Sequence, residues 1–203
     1  RPIHQVDNYL DAVVNTAVDF FSPYADMFAL VAEGNHESAI RRHHETDLIE
    51  RFVTTLNYKN NTQLTKGLYT GYVKFSFKKA SGRSRMTPVV LNFTHGYGGG
   101  GPVTRGVIQT NRKAVYLPDA QICVSGHIHE SWQVAIPRER MNQQGNLYID
   151  EQTHICLPTY KEEYLSGENY HRERGRPPKP LGAWWLRFYY ENQKIKYEFI
   201  RAK

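Results

Sequence analysis

The sequence predicts an α/β fold. Three observations carry that expectation: short runs of branched apolar residues of buried-strand length, helical periodicity between them, and a C-terminal part that alternates like β-structure. At the start, Val6, Leu10, Val13, Val14, Ala17, Val18 and Phe21 recur at helical spacing, and Ser22-Pro23 ends the pattern. Met27-Phe28-Ala29-Leu30-Val31 follows as a continuous apolar run, expected to be a strand buried on both faces. After Gly34-Asn35-His36-Glu37, a second helical pattern runs through Ile40, Leu48, Ile49, Phe52, Val53 and Leu56. Over 68–77, Tyr72, Lys74 and Ser76 alternate with Val73, Phe75 and Phe77, the signature of a half-solvated strand. Lys78, Lys79, Arg83 and Arg85 then mark a basic hairpin loop. Val89-Val90-Leu91-Asn92-Phe93 is the second buried-type run, a helix is expected over 103–115, and Ile122-Cys123-Val124-Ser125 is the third strand. Further strands are expected over 132–136, 147–150 and 155–157, with a closing hairpin over 184–200 that turns at Glu191-Asn192-Gln193. The proline-containing basic segment 172–180 reads as a loop on the body.

Composition narrows the function classes. Hydrophobic residues are 40% and charged residues 23% of the 203, so a packed core is expected, as one domain over 1–203. No apolar run is long enough to span a bilayer, and the opening lacks the charged stub and apolar stretch of a signal peptide. Two cysteines, Cys123 and Cys156, exclude a disulfide scaffold and a four-cysteine zinc site, which places the expectation in a reducing, cytoplasmic compartment. The formal net charge of +6 leans toward an anionic partner.

Each buried-type run is followed at once by a polar cluster: Asn35-His36, His95, and His127-Ile128-His129. Ligands of α/β sheets bind beyond the carboxyl ends of strands, which is where these clusters would fall. If the last cluster is extended, the i, i+2 spacing aims His127 and His129 at one locus, to serve one metal or two adjacent ones. Asn35 and His36 diverge, so that one can face a metal and the other a substrate. An amide oxygen with imidazole nitrogens suits Mn, Fe or Zn. Gly34, Gly96 and Gly126 flank the clusters and allow close backbone approach. Asn35 also precedes a predicted helix, whose start would favour a phosphate.

Gly34-Asn35-His36-Glu37, a lone His95 followed by glycine, and Gly126-His127-Ile128-His129 resemble the last three signature blocks of the calcineurin-like metallophosphoesterases, in the same order, over roughly residues 27 to 135. The resemblance implies a four-layer α/β/β/α sandwich, with residues 132–203, mainly β, completing the second sheet. It implies two divalent metal ions: Asn35, His95 and His127 would ligate one and His129 the other, with His36 as the acid for the leaving alkoxide. Arg41, His43 and Gly96 are the candidate substrate-binding residues. The family places an Asp-x-His block and a Gly-Asp-x-x-Asp block ahead of the asparagine, and neither occurs in the 34 residues before Asn35. The expectation is therefore a metallophosphoesterase domain without its first βαβ portion, in which metal occupancy is at most partial and turnover is weak.

The plainer readings are definite as well. Gly96-Tyr97-Gly98-Gly99-Gly100-Gly101 lacks the lysine and hydroxyl residue of a P-loop, so a flexible active-site loop is expected rather than a phosphate cradle. His43 and His44 sit on a basic helix face, Cys123 reads as a small buried hydrophobe, and His4, His154 and His171 lack supporting spacing. Two function classes follow: hydrolysis of phosphate mono- or diesters at a dinuclear centre, with nucleic acid favoured by the basic balance, or a catalytically incomplete module that binds nucleic acid or protein.

Overall fold

The structure is a computed structural model that describes residues 7–79, 86–99, 101, 103–162, 164–165 and 170–202. Val6, residues 80–85 of the basic loop, and Gly100 lie outside the described residues. The chain divides into two compact units, Arg1–Gly71 and Tyr72–Lys203. Each contains helix and strand, so the class is mixed α/β.

The first unit holds α1 (Tyr9–Phe21), a 3-10 turn over Ser22–Met27, β1 (Leu30–Ala32), α2 (Asn35–His44), α3 (Leu48–Asn60) and β2 (Thr65–Gly67). α1 buries Val14 and Val18, one turn apart, against Phe52, Val53 and Leu56 of α3, with Ala25 and Leu64 closing the core. Phe21 meets Phe52 and Phe28 edge to face at centroid distances of 5.9 and 5.4 Å. β1 and β2 pair in parallel, Leu30 opposite Thr65.

Two expectations are corrected here. The apolar run at Met27 does not form a strand buried on both faces: Pro23 starts a 3-10 turn that consumes Met27, which is 76% exposed, and β1 is a half-buried three-residue strand. The single helical pattern from Ile40 to Leu56 is two helices. Glu45 adopts a left-handed conformation (φ 51°) that ends α2, and the Asp47 carboxylate then accepts the Glu50 N–H at 2.9 Å to start α3.

In the second unit five strands pair in the order β3 (Thr70–Phe75), β4 (Val89–Thr94), β5 (Ile122–Ser125), β7 (Leu147–Cys156), β6 (Trp132–Met141). β3 begins at the end of the first unit. β4, β5 and β7 run parallel, whereas β6 and β7 form an antiparallel hairpin from Trp132 opposite Cys156 to Met141 opposite Leu147. The connection from β4 to β5 carries α4 (Gln109–Tyr116), as a parallel pair requires. After α5 (Tyr170–Glu173), β8 (Ala183–Glu191) and β9 (Lys194–Ala202) close a hairpin through Asn192 and Gln193, both at positive φ.

Residue alternation along β7 sorts the layers. Gln152, on one face, reaches the α4–β5 connection through hydrogen bonds to the Leu117 and Ala120 carbonyls, both 2.8 Å. Thr153, on the other, meets the Tyr197 hydroxyl of β9 at 3.2 Å, and Phe188 of β8 packs on Phe75 at 4.7 Å. β6 and β7 thus extend the first sheet, and among the described residues the second β layer of this unit is the β8–β9 ribbon. The helix expected over 103–115 is the eight-residue α4, because Arg105 and Gly106 take positive φ and hold 103–108 as turns. The segments expected at 147–150 and 155–157 are one continuous strand, β7. Among the described residues no helix is long and apolar enough to cross a membrane.

Candidate metal centre

β4 and β5 end together, with Thr94 opposite Ser125 as the last register pair, and the histidine loops leave from their adjacent carboxyl ends. The two loops are bonded backbone to backbone. Gly126 N–H donates to the His95 carbonyl at 3.1 Å, and Gly96 N–H donates to Thr94 Oγ1 at 3.2 Å. Gly96 sits at φ +94°, and a Cβ there would lie 2.8 Å from the Gly126 oxygen; a Cβ on Gly126 would lie 3.3 Å from the His95 oxygen. Gly96 and Gly126, expected to permit close approach, do so.

This contact brings His95 Nε2 within 3.2 Å of His127 Nδ1, with the rings 5.2 Å apart and inclined at 69°. His127 is at φ 69° and is spanned by a bond from Ile128 N–H to the Gly126 carbonyl at 2.9 Å, which makes it the centre of the rare γ-turn of positive φ. His129 is also left-handed, at φ 54°. The segment is therefore not extended, and the i, i+2 argument for a common aim does not apply to it. Two histidines at positive φ, separated by Ile128, store backbone strain of about 1 kcal/mol or more each, the kind of strain held at functional sites.

The donor set fits a cation. Metal–imidazole bonds of about 2.1 Å place two nitrogens on one ion about 3.0–3.4 Å apart, depending on coordination geometry, and the His95–His127 separation of 3.2 Å lies inside that range. The same distance also serves a hydrogen bond between neutral rings. Among the described residues no group of three or more His, Cys, Asp or Glu side chains is placed to hold a metal.

The first unit presents the other candidates. Gly34 N–H donates to Glu37 Oε2 at 2.9 Å, which closes the start of α2 so that Asn35 and His36 are its first two residues. Asn35 is half-buried and His36 exposed. Arg41 binds Glu33, 4% exposed, at 2.7 Å, so its guanidinium first serves to neutralise a buried carboxylate. His43 lies exposed in the last turn of α2, beside Arg42 and His44, where cations meet the negative end of the helix dipole.

Sequence reasoning missed a polar interior in the second unit. Gln152, His154 and Cys156 all face inward from β7 at 0–2% exposure, with Cys123 from β5 and Lys113 from α4 beside them. The i, i+2 spacing of Gln152, His154 and Cys156 is the signal that was present. Cys123 is the buried small residue expected; burial pushes the Cys123 and Cys156 thiols up to about 11, so both stay protonated at neutral pH.

Comparison of the chain with models of protein families, with curated proteins and with solved structures finds no match in any of the three.

Proposed function

We propose that this chain carries metal ligands of a phosphoesterase centre and that its substrates are phosphate mono- or diesters. The supporting observation is the His95–His127 pair, two ring nitrogens at cation-ligand spacing beyond the ends of adjacent parallel strands. Asn35, His95 and His127 would hold one divalent cation and His129 the other, within the α/β/β/α sandwich that the sequence motifs suggest. Divalent cations bound there would neutralise charge on the phosphate oxygens and lower the pKa of water. His36 would hold the proton for the leaving alkoxide, and Arg41, His43 and Gly96 would contact the ester. The basic balance favours a nucleic-acid substrate, which would make the activity nuclease-like.

Metal binding is the primary readout, because the sequence has neither aspartate block and weak turnover is expected from these residues. Titration with Mn2+ or Zn2+ by calorimetry is expected to give saturable binding. His95→Ala and His127→Ala should each weaken it by about tenfold or more, as loss of one imidazole ligand does. With Mn2+ present, a phosphomonoester, a phosphodiester and DNA are the assay substrates, and His36→Ala should lower kcat by about 100-fold or more. Metal affinity that is absent, or equal in wild type and both histidine variants, rejects this function.

A further inference from the structure

On the α4 side of the five-stranded sheet lies a cavity of about 350 Å3, walled by Gly98 of the glycine-rich loop, Gln109 and Lys113 of α4, Ser125 at the end of β5, Trp132 and His154. Its size is in the range of roughly 300–1,000 Å3 typical of small-molecule sites. We propose that this cavity binds a small hydroxylated phosphate monoester, with the Lys113 ammonium as the partner of the phosphate and the Gln109 side-chain oxygen as the acceptor for a ligand hydroxyl.

Two unsatisfied groups in the wall carry the argument. Lys113 is 7% exposed, and among the described residues its side-chain ammonium has no hydrogen-bond or ion-pair partner. Buried ammonium groups persist where an opposite charge compensates them, and here the described residues supply none. The ionisable groups closest to it in effect are the Cys123 and Cys156 thiols, which burial keeps neutral. His154, with its pKa pushed down to about 4 by burial and by the nearby positive charges of Lys113 and Arg138, is neutral at pH 7. The buried carboxylate of this unit among the described residues, Glu130, is bound to Lys179 at 2.6 Å. An anionic ligand would provide the missing charge. The second group, Gln109 Oε1, is buried with no hydrogen-bond partner among the described residues and can only accept, so it calls for a donor, which the fully ionised phosphate group of an ester lacks and a ligand hydroxyl supplies. A phosphate ester with a neighbouring hydroxyl satisfies both groups. The Gly98 and Gly99 side of the cavity has open space where a Cβ would stand, which lets ligand atoms approach the loop backbone. The site does not use the histidine pair as ligands and stands whether or not a cation binds there.

Calorimetry at pH 7 with EDTA present removes any metal contribution, with inorganic phosphate and glycerol 3-phosphate as probes and KCl at matched ionic strength as the control. Both probes should bind saturably in the millimolar range or tighter, glycerol 3-phosphate more tightly. Lys113→Met should weaken both by about tenfold or more, the scale of a charge-assisted hydrogen bond, while its Tm stays at or above that of wild type because an uncompensated buried charge is gone. Gln109→Leu should abolish the preference for glycerol 3-phosphate, weakening its binding more than that of inorganic phosphate. Wild-type binding that does not saturate, or equal affinity in Lys113→Met, overturns the proposal. Acetylation of Lys113 by acetic anhydride, followed by peptide mass spectrometry, asks the same question of the unsubstituted protein. Phosphate is expected to protect Lys113 selectively, and unchanged labelling counts against the site.

Discussion

Gln152 donates both of its amide hydrogens, to the Leu117 and Ala120 carbonyls, so its oxygen can only accept from His154 Nε2 at 2.8 Å. That bond fixes the neutral Nε2–H form of His154, and burial and the Lys113 and Arg138 charges push its pKa from 6.5 down to about 4. Between those two values the unfolded chain takes up a proton that the folded chain refuses. Stability contributed by this residue is therefore complete above about pH 6.5, falls as pH drops toward 4, and levels off below, by about 3 kcal/mol in all. Urea unfolding at pH 7, 5.5 and 4.5 should show that loss in wild type and a shallower one in His154→Gln; parallel curves would reject it. Gly96 makes the second prediction at this scale. Its positive φ and the 2.8 Å approach to the Gly126 oxygen leave no place for a methyl group, so Gly96→Ala should lower unfolding stability by about 1–3 kcal/mol in a denaturant titration. The glycine and histidine punctuation of this site was legible because close backbone approach leaves glycines in the sequence. The geometry of His127 was not, because a γ-turn is set by the hydrogen bond that spans it rather than by residue type. The polar interior was hidden for another reason: inward-facing Gln152 and His154 on alternate positions look the same in sequence as a solvent-facing strand edge.

Among elements, the central strand β5 and the edge strand β3 were the most readable. β5 occupies the run Ile122-Cys123-Val124-Ser125 as expected, and β3 exposes Tyr72 and Lys74 while turning Val73 and Phe75 inward. Helix limits were less readable, since a single left-handed residue breaks a periodic pattern without changing it. The division between α2 and α3 depends on Asp47, where burial would raise the carboxyl pKa, but hydrogen bonds from Lys66 and the Glu50 N–H outweigh it and hold the group below its usual value. The Lys66 contact, 2.6 Å to Asp47 Oδ2, also ties the start of α3 to β2. Asp47→Ala removes both functions and should lower the stability of the first unit by about 1–2 kcal/mol. Asp47→Asn keeps the helix cap and loses the charge, so about half of that loss should remain. Hydrogen exchange of the α3 amides separates the two variants, and equal protection in wild type and Asp47→Ala would contradict the capping role.

At the scale of the whole molecule, the boundary between Gly71 and Tyr72 falls inside β3, with no proline- or glycine-rich linker to announce it, so composition could not reveal two units. The boundary changes how the charge is read. Arg1–Gly71 carries six Lys or Arg against nine Asp or Glu, a net −3, and Tyr72–Lys203 carries twenty against eleven, a net +9. The basic balance that favours an anionic polymer is thus a property of the second unit alone, even though Arg41, Arg42, His43 and His44 form a dense basic cluster on α2. In the first unit that cluster sits among an excess of carboxylates, and Arg41 is already engaged by Glu33. Long-range attraction follows summed charge within a Debye length of about 8–10 Å rather than local runs. A duplex DNA probe followed by fluorescence anisotropy should therefore bind with an affinity that falls steeply with salt. Replacing the exposed Lys78 and Lys79 together by glutamate should weaken binding and reduce the log–log salt slope by about 2, since each phosphate that is no longer neutralised lowers it by about 0.9. Arg42→Glu should leave both quantities close to wild type. The opposite pattern, weaker binding with Arg42→Glu and indifference at Lys78 and Lys79, would assign the anionic partner to the first unit and overturn this division of charge.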